Sequence, residues 1–166
     1  MVKKWWMIVL FVIFLTGCAD VGDLETMNDD FVLREAVPGQ ILLSLPGDAG
    51  EEALCGTEER QLYICENYTI TVQTMSGGDL KRTLQTVTGF DPSALTVVQT
   101  RVDALDSYQT VWTAAGEGGD QLCRAKILSD GEFHYVLSVM ADCAVAGDLT
   151  DAWQTLFDSF GVSRIG

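Results

Sequence analysis

Apolar residues along this chain fall into short runs with a period of two, interrupted by two stretches with the longer period of a helix. Residues 40–45 (QILLSL), stopped by Pro46-Gly47, predict a buried strand. Residues 61–66 and 68–75 predict a hairpin about Asn67. In its second arm Tyr68, Ile70 and Val72 point one way and Thr69, Thr71 and Gln73 the other. Ser76-Gly77-Gly78-Asp79 then breaks the strand and opens a helix. Leu80, Leu84 and Val87 share its face, and Gly89 sits where a helix end favours glycine. Asp91-Pro92 predicts a turn or a single helical turn, with aspartate as cap and proline at the first helical position.

A β-meander follows. Residues 96–102 and 108–115 flank a turn at 104–107, and Gly116-Glu117-Gly118-Gly119-Asp120 turns the chain again. Within 121–129, Cys123, Ala125 and Ile127 share one face and Arg124 and Lys126 the other; Asp130-Gly131 is a hairpin signal leading into 133–141. A last helix begins near Asp148. Leu149, Trp153, Leu156, Phe157 and Phe160 form a broad apolar stripe along it, and Gly161 is expected to end it. The order of strand, hairpin, helix, meander and helix predicts an α+β fold, an antiparallel β-sheet of about five to seven strands packed with two main helices.

The first 18 residues, MVKKWWMIVLFVIFLTGC, follow a different logic. Lys3 and Lys4 precede an apolar run over residues 5–15, shorter than the roughly 20 residues of a membrane-spanning helix. The closing Leu15-Thr16-Gly17-Cys18 resembles the bacterial lipobox. That resemblance implies transfer of a diacylglyceryl group to the Cys18 thiol, cleavage before Cys18, and acylation of the new amine, palmitate being a usual chain. It implies a lipoprotein held at a membrane on the extracytoplasmic side. Each buried CH₂ contributes about 0.8 kcal/mol, so two or three chains hold stably where one does not. The expected organisation is a signal peptide over 1–17, an acidic flexible tether over 18–30 and a single α+β domain over 31–166.

Charge narrows the partners. The 166 residues carry 24 acids against 10 lysines and arginines, a formal charge of −14. Losing the 17-residue leader leaves 149 residues and takes away two lysines, so the balance becomes −16. Nucleic-acid binding needs a basic surface that displaces phosphate counterions, so no nucleic-acid partner is expected. Anionic headgroups are repelled too, which leaves the lipid on Cys18 as the expected membrane contact.

Four further cysteines, Cys55, Cys65, Cys123 and Cys143, form an even set in an exported domain, where disulfides persist. Three pairings are open. The local one, Cys55–Cys65 with Cys123–Cys143, is favoured, although a hairpin at 129–132 sets Cys123 opposite a residue near Ser138 rather than opposite Cys143. Zinc is the alternative, but no CxxC occurs and His134 is the only histidine, so no metal site is expected.

The arrangement as a whole looks like the PsbP-like fold. The residues that carry the resemblance are the early ILLSLP strand, the long hairpin ending in FHYVLSVMA and the closing helix WQTLFDSF, over residues 31–163. Its members mostly bind and stabilise other proteins, which implies an accessory role.

No residue set marks a reaction. His134 lies mid-strand with no nucleophile tied to it by motif, and is read as structural. GEGGD at 116–120 lacks the spacing of a phosphate loop and precedes a strand. Asp148 and Asp151 suit helix capping and the helix dipole. Asp103 and Asp106 flank a turn, and a calcium site there needs several more oxygens. Trp153, Phe157 and Phe160 are read as core. The expectation is a non-enzymatic lipoprotein without cofactor that binds an envelope protein; the alternative is capture of a small molecule or a cation.

Overall fold

Alternating residues from 60 to 76 make two antiparallel strands, β3 (Arg60–Ile64) and β4 (Tyr68–Ser76), joined about Asn67 as the pattern predicts. The computed structural model describes residues 36–51, 59–116 and 118–163. The expected signal peptide over 1–17, Cys18, the expected tether over 18–30 and Cys55 lie outside them. Beside β3 lies the two-residue β2 (Gly50–Glu51). Four longer strands complete the sheet: β5 (Val97–Val102), β6 (Leu105–Gly116), β7 (Gly119–Ser129) and β8 (Phe133–Asp142). The order is β2-β3-β4-β8-β7-β6-β5, and every pair is antiparallel.

The β5–β6 turn is tighter than expected. Asp103 and Ala104 both take positive φ, 49° and 68°, so a two-residue turn of the type that matches sheet twist replaces the loop expected over 104–107. Neither residue is glycine, which hides the turn from composition. Leu105 and Ser107 are thereby drawn into the sheet and buried.

Residues 40–45 also differ from expectation. Only Gln40–Leu42 (β1) is a strand, and it pairs with Gly161–Ser163 (β9) outside the main sheet. Ile41 and Leu43 pack on the core while Leu42 and Leu45 stay exposed, so the run is amphipathic rather than wholly buried. Gly39 leads into β1 at a close approach. A Cβ there would lie 2.6 Å from Val162 Cγ1 and 2.8 Å from the Ser163 carbonyl oxygen.

Each face of the sheet carries one helix. The first, α1 (Leu80–Thr88), is capped as predicted. Asp79 Oδ1 accepts from the backbone N–H of Lys81 and Arg82, and Gly89 closes the helix at φ 77°. Leu84 packs on Ile127 and Val136, with Met75, Leu80 and Val87 around them. The second, α2 (Thr150–Ser159), sets Trp153, Leu156 and Phe157, then Phe160, against Ile70, Val72, Leu137 and Val139 on the opposite face. A 3-10 turn, Ala146–Leu149, leads into α2. No side chain caps that helix, so Asp148 and Asp151 act only through the helix dipole, a correction to the expected capping. Gly161 does not simply end the helix; it begins β9.

The C-terminal end of α2 is held from the sheet. Lys126 Nζ donates to the carbonyls of Phe157 (2.9 Å) and Phe160 (3.4 Å), satisfying acceptors that a helix end leaves bare. Arg124 lies 4.4 Å from the centroid of the Phe157 ring. Both basic residues therefore serve packing on the α2 side. Burial pulls the Lys126 ammonium below its ordinary pKa, opposed by Asp158.

Candidate functional site

The strongest candidate arises because α1 is short. Nine residues at about 1.5 Å each span roughly 13 Å. The helix covers the sheet where Ile127 and Val136 lie; beyond it the same face is half-exposed at Leu62, Thr69, Thr71, Trp112 and Ser138, while Thr110, Cys123 and Ala125 are buried. Register brings two cross-sheet rows together there. Trp112 faces Cys123, Cys123 faces Met140, and Met140 faces Thr69; beside them Thr110, Ala125, Ser138, Thr71 and Leu62 form the next row. With Thr86 and Val87 of α1 forming one wall, these rows outline a trough of about 400 Å³ lined by Leu62, Thr71, Trp112, Cys123, Ser138 and Met140, among others. Met140 is 38% exposed, large for an apolar residue of a central strand.

A larger depression, about 810 Å³, lies at the N-terminal end of α1 beside Lys81, Arg82 and Asp91. Its polar groups are already used locally. Asp79 caps the helix, and Asp91 Oδ1 accepts from Ser93 N–H (2.8 Å) and Ser93 Oγ–H (2.6 Å), which holds the Asp91 carboxyl below the usual carboxylate range. It is a surface hollow between two helix caps.

Three of the four paired-cysteine candidates lie within the described residues, and all three are free thiols. The expected Cys123–Cys143 bridge is not formed. Cys123 sits opposite Met140, while Cys143 lies one residue beyond β8 and donates its N–H to the Asp120 carbonyl. The two are thus out of register across the ladder. Burial, and then the neighbouring Cys143, push the Cys123 thiol up to about 11, far from a reactive thiolate. Cys65 is buried at the β3–β4 turn, its thiol raised by burial and by Asp48; the pairing with Cys55 lies outside the described residues. The neighbouring Tyr68 hydroxyl is pushed up to about 12 by burial and by Cys65.

His134 is buried under α1, where its Nδ1 lies 2.7 Å from Thr83 Oγ1. Burial lowers its pKa, opposed by Asp130 and Asp79. Thr83 is equally buried, so the pair pins α1 to β8 and offers no surface to a substrate. Sequence spacing missed this contact because the partners are 51 residues apart. Asp103 and Asp106 stay at the β5–β6 turn, and GEGGD joins β6 to β7. Among the described residues no three His, Cys, Asp or Glu side chains converge on a point, and no helix is long and apolar enough to cross a membrane.

A second polar element fixes where the chain enters the domain. Tyr135 Oη, fully buried, accepts from Gly39 N–H (2.7 Å) and donates to Asp130 Oδ2 (2.8 Å). Asp130 Oδ1 accepts from the Glu132 and Phe133 N–H groups. Burial raises the Asp130 carboxyl, but these donors outweigh it and hold the group below its ordinary value.

No protein-family model matches the chain, and no curated protein matches it in sequence. Solved structures do match it. A protein from Bacteroides thetaiotaomicron superposes with a TM-score of 0.54 at 13% identity over 76% of this chain; the match spans 46% of that protein, so about half its length. Cyanobacterial PsbP from Synechocystis superposes with a TM-score of 0.52 at 11% identity, covering 87% of this chain and all of that one. LpqN, involved in cell envelope biogenesis of Mycobacterium tuberculosis, gives 0.49 at 17% identity over 77% of this chain and 87% of its own. Such identities speak to architecture alone, and the architecture of this domain is an α+β fold of the PsbP-like kind.

Proposed function

We propose that this chain is a membrane-anchored, extracytoplasmic accessory module that binds a protein partner of an envelope complex and performs no reaction of its own. The observation that carries this reading is the half-exposed face beside α1. Trp112 and Met140, residue types enriched where proteins meet, line it with Cys123 between them and the hydroxyl side chains of Thr69, Thr71 and Ser138 alongside. A trough of this kind suits a flat protein surface better than a small ligand, which needs most of its area enclosed. A cation lacks a comparable observation.

Support for the anchor comes from Leu15-Thr16-Gly17-Cys18 and the short apolar run before it. Support for the absence of chemistry comes from the groups present. The His134–Thr83 pair is buried under α1, and the Cys123 thiol is held far from ionisation.

In-cell crosslinking followed by mass spectrometry, wild type against Cys18→Ser, tests the reading. A recurrent partner captured by the wild type and lost from the unanchored variant is the expected result. A correctly lipidated wild type that captures no recurrent partner contradicts it.

A further inference from the structure

The two edges of the sheet are treated differently. At one end β2 has two residues, too short to template another strand. At the other, β5 has six residues, VVQTRV, without proline, lysine or bulge, and five in a row from Val98 to Val102 are exposed. Among the described residues no strand pairs with its outer side. Such an edge invites β-addition.

Turn geometry says which backbone groups are open. In a two-residue hairpin the flanking residues, here Val102 and Leu105, exchange hydrogen bonds, and such pairs recur at every second position. Thr100 with Ser107 and Val98 with Gln109 therefore bond inward. The N–H and C=O groups of Val97, Gln99 and Arg101 point away from β6, free for another strand.

We propose that this edge pairs with a second copy of the same chain, the two β5 strands running antiparallel about a two-fold axis through Thr100. In that register Gln99 exchanges hydrogen bonds with Arg101 of the copy. Val98 opposes the copy's Val102, and Thr100 opposes itself. Val98 is 55% exposed and Val102 36%, so the pairing covers both. Charge does not oppose this seam. Residues 95–102 (LTVVQTRV) carry Arg101 and no acid, in a chain with 24 acids and a formal charge of −14. Two copies meet there without opposing carboxylates, whereas their acids elsewhere repel. The register also keeps like faces together, because opposed residues share parity and the sheet continues with α1 on one side and α2 on the other.

This surface is distinct from the trough, so its failure leaves the partner-binding reading standing. The test is sedimentation of the full chain in detergent across a concentration series. Twice the chain mass is expected, with a dimer fraction that rises as salt screens the acidic surfaces. Gln99→Pro removes only an outward N–H and is expected to return the mass to that of one chain with unchanged circular dichroism. Thr100→Cys, at a non-hydrogen-bonded pair on the axis, is expected to crosslink to its own copy on oxidation, and Thr113→Cys on β6 is not. A monomer at every concentration overturns the proposal, as does a dimer that survives Gln99→Pro or falls apart with added salt. Should Gln99→Pro fail to fold, the Thr100→Cys crosslink and the wild-type mass decide.

Discussion

Tyr135→Phe removes one oxygen from the centre of the molecule and leaves the ring in place. That oxygen joins three parts of the chain: the entry segment at Gly39, strand β8, and the hairpin carboxylate of Asp130. The bond from Tyr135 to a carboxylate is worth about 1.5–3 kcal/mol, and the bond from the Gly39 amide about 0.5–1.5 kcal/mol. Gly39 is only half-buried, so water recovers part of the second. The expected loss is therefore about 2–3 kcal/mol, read as a lower urea midpoint at unchanged slope. Acid gives an independent check. The folded Asp130 carboxyl lies below its ordinary 3.8, so the stability it contributes is present above that value and is lost as pH falls through the folded value. Without the tyrosine donor the folded value moves back toward 3.8, and the acid-induced loss becomes smaller. A double-mutant cycle with Asp130→Asn isolates the pair. A variant within about 0.5 kcal/mol of wild type, or strictly additive effects in the cycle, refutes the reasoning.

Three further outcomes follow from the packing. Phe157→Ala empties the centre of the α2 interface and removes the ring beneath Arg124; a loss of about 3–5 kcal/mol by urea unfolding is expected, and less than about 1 kcal/mol contradicts the core assignment. Burial under α1 lowers the folded pKa of His134 below its ordinary 6.5; the stability it contributes is present above that value and lost as pH falls through the folded one, and an NMR titration midpoint at or above 6.5 contradicts this. The exposed Cys143 is expected to react with a thiol reagent at least about tenfold faster than Cys123, followed residue by residue by mass spectrometry; equal rates contradict the buried placement of Cys123.

Much of the fold is legible wherever local chemistry and the long-range answer agree. Asp79 and Gly89 bracket α1 because a side-chain acceptor and a left-handed residue are what its two ends need. The stripe from Leu149 to Phe160 specifies a buried helix face, and Asp130-Gly131 specifies the β7–β8 hairpin. Other features depend on contacts that no local pattern carries. β1 pairs with β9 across most of the chain, so residues 40–42 look like a core strand yet sit beside the sheet. The Asp103-Ala104 turn uses positive φ without glycine. Cys123 and Cys143 look paired by spacing, but the register sets Cys123 against Met140. The trough was hidden for the same reason. It requires knowing that Trp112, Cys123, Met140 and Thr69 align across four strands, and that a nine-residue α1 stops short of them.

The face beside α1 is proposed to meet a protein partner. A photoreactive amino acid at Met140, on that face, and another at Asp158, exposed on α2 at the opposite side, test it in cells. A partner crosslinked from position 140 and absent from position 158 is expected. Capture from 158 alone, or equally from both, would contradict it.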